Sequence, residues 1–229
     1  MKPTEKDINQ AISTVRALFD LGFKDALSFH EKKRDWGINY ELGWYPWAAD
    51  HEEDLEELDV ELFKGETKAV IIDWNLNGWV IKIALNRASN PRLPETNYCE
   101  VEAENFAHAV EAGVDEFFAA TYEVGELDGF KIFLQAAATI DEGETEEALY
   151  EFSSRAVSEW ATESDAEDEA YSYMDEMDDE DRILALMGEE TPESLMTFLS
   201  TYEINDLHSG NFGIINNHWV IIDFSGYRG

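Results

Sequence analysis

The sequence predicts an α+β fold, and three observations carry that expectation. Short runs rich in Val, Ile, Phe and Trp recur at 63–72, 78–85, 129–135 and 212–224, each of strand length. Around them, residues 1–35, 98–118 and 141–190 place apolar side chains at helical intervals. No Pro/Ser/Gly-rich linker and no internal repeat separates these stretches, so 229 residues fit one folded unit of two lobes or two small domains.

In chain order, the first 35 residues read as helix, with Thr4 and Asp7 forming a capping box before Ile8, Ile12, Val15, Leu18 and Phe19. An acidic stretch follows from Asp50 to Glu61. Phe63 to Ile72 reads as a hairpin turning near Gly65, whose lysines Lys64 and Lys68 could contribute positive charge to a ligand but would ordinarily be solvated. Gly78 to Leu85 is an apolar strand interrupted by Lys82. A lysine there is expensive to bury, so it points outward or has a partner. From Tyr98 to Phe118, Val101, Phe106, Val110 and Val114 recur at intervals of four or five. Glu102 lies four and eight residues before Phe106 and Val110, which places it near the inward face and makes it the leading partner for Lys82. Glu100 and Glu104 stay open, since a one-residue change in the helix start turns the face by about 100°. Gly129 to Gln135 is a further strand, and helices with an acidic outer face fill 141–190 around Leu149, Val157, Tyr171, Ile183 and Leu186.

The tail is the most informative segment. Asp206-Leu207-His208-Ser209-Gly210-Asn211 precedes two β-rich runs joined by Asn216-Asn217-His218, and asparagine tolerates the positive φ of a tight turn. Depending on which two residues form the loop, Asn211 pairs with Ile222 or Phe224, so Asp223 is its cross-strand neighbour to within one residue. Opposed residues in an antiparallel pair have Cβ atoms roughly 5 Å apart, so one hard divalent cation could be held by both.

Asp-Leu-His-x-Gly-Asn, then a hairpin, then Ile-Asp-Phe resembles the catalytic loop and metal-binding segment of the protein-kinase-like superfamily. The form is that of aminoglycoside phosphotransferases and of compact phage and bacterial kinase-like proteins. The resemblance implies a truncated two-lobed kinase-like fold using ATP and Mg²⁺, with a helical N-terminal extension (1–59), a small β-rich lobe with one helix (60–138) and a short helical lobe (139–229). It implies that Asp206 orients or deprotonates the acceptor hydroxyl, that Asn211 and Asp223 hold the metal, and that Lys82, oriented by Glu102, meets the α and β phosphates. Gly65 would cover the phosphates, and Gln135 and Ala136 would lie where the strand enters a hinge beside the adenine. The sequence departs from the family at Ile204, His208 and Ser225, which stand where a histidine, a lysine and a glycine are usual, and at the hairpin with its single glycine. The chain also ends six residues after Asp223, which implies no activation segment and no platform for a peptide substrate.

Composition limits the partners. Sixteen basic against 51 acidic side chains give a net charge of −35, which disfavours nucleic acid. Residues 141–190 hold twenty Asp and Glu against Arg155 and Arg182. Together with 50–61 this surface admits three explanations: ordinary solubility, adaptation to salt, or docking of a basic host protein. The last, with the phage resemblance, implies an alternative in which an acidic pseudokinase inhibits a host nucleic-acid-binding or defence protein. No apolar signal region or membrane span is expected, and a lone Cys99 fits a reducing cytoplasm.

Overall fold

The computed structural model describes residues 1–229 except 28, 35–36, 43, 65–66, 86–96, 159–160, 162–164, 189–190, 206 and 227–229, and describes only the backbone of 29–34, 37–42, 44–46, 64 and 142. It is a mixed α+β protein that divides into two compact units. The first comprises residues 1–104, 120–137 and 228–229, and the second residues 105–119 and 138–227. Among the described residues no helix is long and apolar enough to cross a membrane.

The first unit is built on a five-stranded antiparallel sheet. Strands β3 (Val60–Lys64), β4 (Lys68–Asp73), β5 (Trp79–Ala84), β6 (Thr121–Leu127) and β7 (Phe130–Ala136) lie in the order β3-β4-β5-β7-β6. Helix α1 (Glu5–Asp20) packs on β6 and β7. Thr4 and Asp7 close its capping box, each side chain meeting the other's backbone amide. The Asp7 carboxyl is held below its ordinary value, first by the Thr4 hydroxyl and then by the Thr4 amide. At its middle α1 is tied to β4, where Thr14 Oγ1 and Gln10 Nε2 donate to the buried carboxylate of Asp73 at 2.5 and 2.8 Å. Gly125 makes room for the helix, since a Cβ there would meet Ile12 Cδ1 at 3.2 Å.

Two expectations for this unit are corrected. Helix does not run to residue 35: after α1 and the short α2 (Phe23–Ala26), β1 (Phe29–Arg34) pairs antiparallel with β2 (Gly37–Leu42). The 1–59 segment is thus helical only in part, continuing through α3 (Trp44–Asp50) and α4 (Glu52–Leu58). Glu31 to Arg34 offers no apolar residue to extend the α1 stripe, whereas Ile38, Tyr40 and Leu42 alternate with the period of a strand. Strand β6, not expected, fills the sheet edge next to β7, and a register shift between Glu123 and Gly125 interrupts its alternation.

Helix α5 (Tyr98–Ala112) passes from the first unit into the second. Its buried positions are Tyr98, Cys99, Val101, Glu102, Asn105, Phe106 and Ala109, while Val110, expected inward, is 52% exposed. The second unit continues with α6 (Glu142–Val157), α7 (Ala166–Glu176), α8 (Asp179–Met187), α9 (Glu193–Thr201) and the hairpin β8 (Phe212–Ile215) and β9 (His218–Ile221). Helices α6 and α7 meet at small residues, with the Ser153 hydroxyl donating to the Ala170 carbonyl. Tyr171, expected in the core, is therefore half exposed and lies against the Tyr150 ring at 4.8 Å. On α6, α7 and α8 most carboxylates face outward, as do Glu52, Glu53, Glu56 and Glu57 of α4.

Candidate functional site

Two sets of side chains matter, one in each unit. In the first, the register places Val70 opposite Lys82, so Lys68, two residues from Val70, shares a sheet face with Lys82 as its diagonal neighbour. Both lysines are 4% exposed. Glu102 of α5, fully buried, meets both: the Lys82 ammonium donates to Oε2 at 2.8 Å and that of Lys68 to Oε1. Of the three carboxylates open to Lys82 on sequence grounds, Glu102 is the one beside it. Glu104 is exposed, and Glu100 pairs with Lys131 on β7. The Lys131 ammonium is raised by Glu100 first and Glu123 second.

Sequence reasoning offered Lys68 as charge near the hairpin turn but missed its burial against Glu102, since a lysine opening a strand after a turn ordinarily lies in water. Its buried partner is 34 residues away, and no local pattern signals it. Val70, Val80 and Ala84, on the same face as the lysines, are half-buried. Gln135, opposite Val80, donates its amide to Thr121 Oγ1 at 2.9 Å. The Ala136 amide bonds to the Ala120 carbonyl and that of Ala137 to Gly78, so in this arrangement neither donates to a ligand. Gly65 lies outside the described residues.

In the second unit the hairpin turns on Asn216 and Asn217, both with positive φ (52° and 64°), a two-residue turn that pairs Ile215 with His218. This settles the register: Asn211 stands opposite Ile222, whose amide donates to the Asn211 carbonyl at 2.8 Å. Asp223 follows directly. Strand β9 ends at Ile221, so strand alternation does not dictate where Asp223 points. Its neighbours fix it instead. The Phe224 carbonyl accepts from Asn105 Nδ2 at 2.8 Å, the Phe224 ring packs edge-on against Phe118 at 5.1 Å, and Ser225 Oγ donates to Asp223 Oδ1 at 3.1 Å. Gly213 admits a close approach, since a Cβ there would lie 2.7 Å from the Ala138 Cβ, beside the paired backbones of Thr139 and Ile214.

The loop before the hairpin is tied down as well. The Leu207 amide donates to Asp179 Oδ1 of α8 at 3.0 Å, and the Leu207 side chain is fully buried. His208 Nδ1 accepts from the Gly210 amide at 3.1 Å, and the Asn211 amide donates to the His208 carbonyl. Ile204 is buried as an apolar anchor. Asp206 lies outside the described residues.

Chemically, the first set presents two ammonium groups in directions fixed by one carboxylate, an arrangement suited to anionic oxygens. The second offers a carboxamide and a carboxylate, hard oxygen donors of the kind Mg²⁺ takes in ones and twos while substrate phosphates and water fill its remaining positions. Among the described residues no group of three or more His, Cys, Asp and Glu gathers as a metal cluster. The chain matches no protein-family model, and no curated protein matches it.

Proposed function

We propose that the chain is an ATP- and Mg²⁺-dependent phosphotransferase on a stripped-down, two-lobed kinase-like fold. The observation that carries the reading is the Lys82–Glu102 pair. A lysine on the third strand of a five-stranded sheet meets a buried carboxylate on the helix that follows, the strand and helix positions in which kinases hold the lysine that contacts the α and β phosphates. The anchored Asn211–Asp223 segment supplies the second support, because metal ligands must be held by their surroundings. On this reading Asn211 and Asp223 would hold Mg²⁺, which would supply charge neutralisation for the phosphates. Lys82 orients the α and β phosphates, Glu102 positions Lys82, and Asp206 takes the acceptor proton. Catalysis rests on positioning and charge neutralisation. The resemblance to compact phage kinase-like proteins points to a phage- or prophage-encoded cytoplasmic enzyme acting on a host component.

Thermal unfolding with Mg·ATP tests this. At a hundredfold excess over Kd a ligand of the folded state adds about 2.7 kcal/mol, which for a chain of this size raises Tm by about 5–10 °C. Asp223→Asn and Lys82→Met should each cut the shift by about half or more. No shift in the parent protein at millimolar Mg·ATP refutes the reading.

A second reading is favoured by the outward carboxylates of α4 and α6–α8. In it the protein is an acidic, non-enzymatic inhibitor that occupies a basic site on a host protein. Association would be charge-steered, and its rate would fall steeply as salt shortens the Debye length from about 10 Å at 0.1 M to 3 Å at 1 M.

A further inference from the structure

The five-stranded sheet has two edges, and they are built differently. Strand β6 carries a register shift between Glu123 and Gly125, the kind of bulge that blunts an edge against further pairing. Strand β3 has none. It pairs with β4 in an unbroken register from Val60 to Lys64 and holds no proline, and among the described residues no strand lies beyond it. The phase of its hydrogen bonds follows from the residue just before it. The Trp74 amide donates to the Asp59 carbonyl, and opposed pairs alternate between bonded and non-bonded, so Glu61 and Phe63 bond to β4 while Val60 and Leu62 turn amide and carbonyl outward. A row of backbone groups so placed is a template for one more strand.

The side chains say what that strand must carry. Glu61 and Phe63, two residues apart, share one face of the sheet and are both exposed. Residues 52–63 hold seven carboxylates and no base, and Glu56, Glu57 and Asp59 are exposed in the run that leads from α4 into β3. A second copy of this chain, at a net charge of −35, is repelled from such an edge, as is any acidic strand. Arginine suits both exposed side chains at once, since its planar fork pairs with a carboxylate and its plane stacks on an aromatic ring. Antiparallel pairing is the more stable kind and the one this sheet uses throughout.

We propose that the outer edge of β3 is the docking site for an extended basic segment of another protein, which joins the sheet as a sixth, antiparallel strand and sets its basic side chains against Glu61 and Phe63. The basic partner rests on the second reading of function, and the open edge rests on the backbone of the sheet alone.

The test is fluorescence anisotropy of a labelled short peptide that alternates arginine with threonine, titrated with the full chain. In the proposed pairing the threonines stand opposite Val60 and Leu62 and exchange hydrogen bonds with them, while the arginine amides point away from the sheet. N-methylation of the threonines should therefore weaken binding by about tenfold or more, and N-methylation of the arginines by no more than about threefold, at unchanged peptide charge. On the protein, Leu62→Pro removes an outward amide that β4 does not use, and Glu61→Arg reverses the charge. Each should weaken the unmodified peptide by about tenfold, with folding checked by urea unfolding. The methylated peptides decide the question even where Leu62→Pro disturbs the strand. Equal affinity of all three peptides makes the attraction one of charge alone, which overturns the added strand and leaves the charge-steered reading intact, and a weaker arginine-methylated than threonine-methylated peptide overturns it as well. Folded Leu62→Pro and Glu61→Arg proteins that bind the unmodified peptide like the parent overturn the assignment to β3. A parent that binds none of the peptides overturns both the docking site and the second reading.

Discussion

Glu102→Gln is the substitution from which most can be learned about how the sheet unit holds together. The carboxylate is fully buried between two ammonium groups that are each 4% exposed, so water screens the charges little. At the 2.8 Å of the Lys82 contact, and an effective dielectric of about 20, the gross attraction is roughly 6 kcal/mol, most of it offset by the desolvation of both ions. Glutamine fills the same volume but presents one neutral oxygen and an NH₂ group, so both buried ammonium groups lose the carboxylate they meet on α5. Breaking a buried ion pair from one side costs about 3–5 kcal/mol, a large share of the roughly 5–15 kcal/mol that holds a domain together. With a urea m value near the upper end of about 1–3 kcal/mol/M, the unfolding midpoint should fall by about 1–2 M at unchanged m. Tryptophan fluorescence suits the assay, because Trp74 and Trp79 lie on or beside the strands of the sheet. The control is the triple variant Lys68→Met, Lys82→Met, Glu102→Leu, which removes every charge and should recover most of the loss, since apolar replacements of buried ion pairs are often neutral or stabilising. A midpoint shift under about 0.3 M in Glu102→Gln would refute the reasoning, because a carboxylate so placed cannot be removed cheaply.

Other expectations follow from the same contacts. Thr4→Ala should cost about 1 kcal/mol in thermal unfolding by opening the α1 capping box. Asp7 has its pKa lowered by Thr4, so its contribution is present above the unfolded value and is lost as pH falls through the folded one; parent and Asp7→Asn should differ in stability at neutral pH and converge in acid. Lys131 is raised by Glu100 and Glu123, so its contribution is complete below the ordinary lysine value and disappears as pH rises beyond it. That pair is partly exposed, and Lys131→Met should cost at most about 1 kcal/mol, less in high salt. Asp179→Ala strips the Leu207 amide of its charged acceptor and should lower stability by about 1.5–3 kcal/mol, with Asp179→Asn losing less, as read by urea unfolding.

What could be read from the sequence depended on how local each signal is. The tail hairpin was legible because Asn216–Asn217 is a turn signal in two residues, and the backbone selects one of the two registers it allowed. Lys82 and Glu102 were legible because each interrupts a periodic apolar pattern. Strand β6 was not, because its bulge breaks the period of two and its Gly125 serves α1, a partner more than a hundred residues away. Nor was Lys68, whose burial is decided by α5 and not by its own neighbours. The β1–β2 hairpin was lost to an overlong helix, though Ile38, Tyr40 and Leu42 carried the alternation that marks it. Tyr171 was placed in the core by helical spacing, but contact through Ser153 and Ala170 puts the small residue inside and the ring outside.

The most direct test of the account is calorimetric titration of Mg·ATP into the parent protein, Asn211→Ala and Asp223→Asn, repeated with EDTA in place of Mg²⁺. The account predicts saturable binding in the parent that needs Mg²⁺ and is weakened by about tenfold or more in both variants, because on the proposed reading each removes an oxygen donor to the metal. Binding of equal strength in Asp223→Asn, or no binding to the parent at millimolar nucleotide, would contradict it.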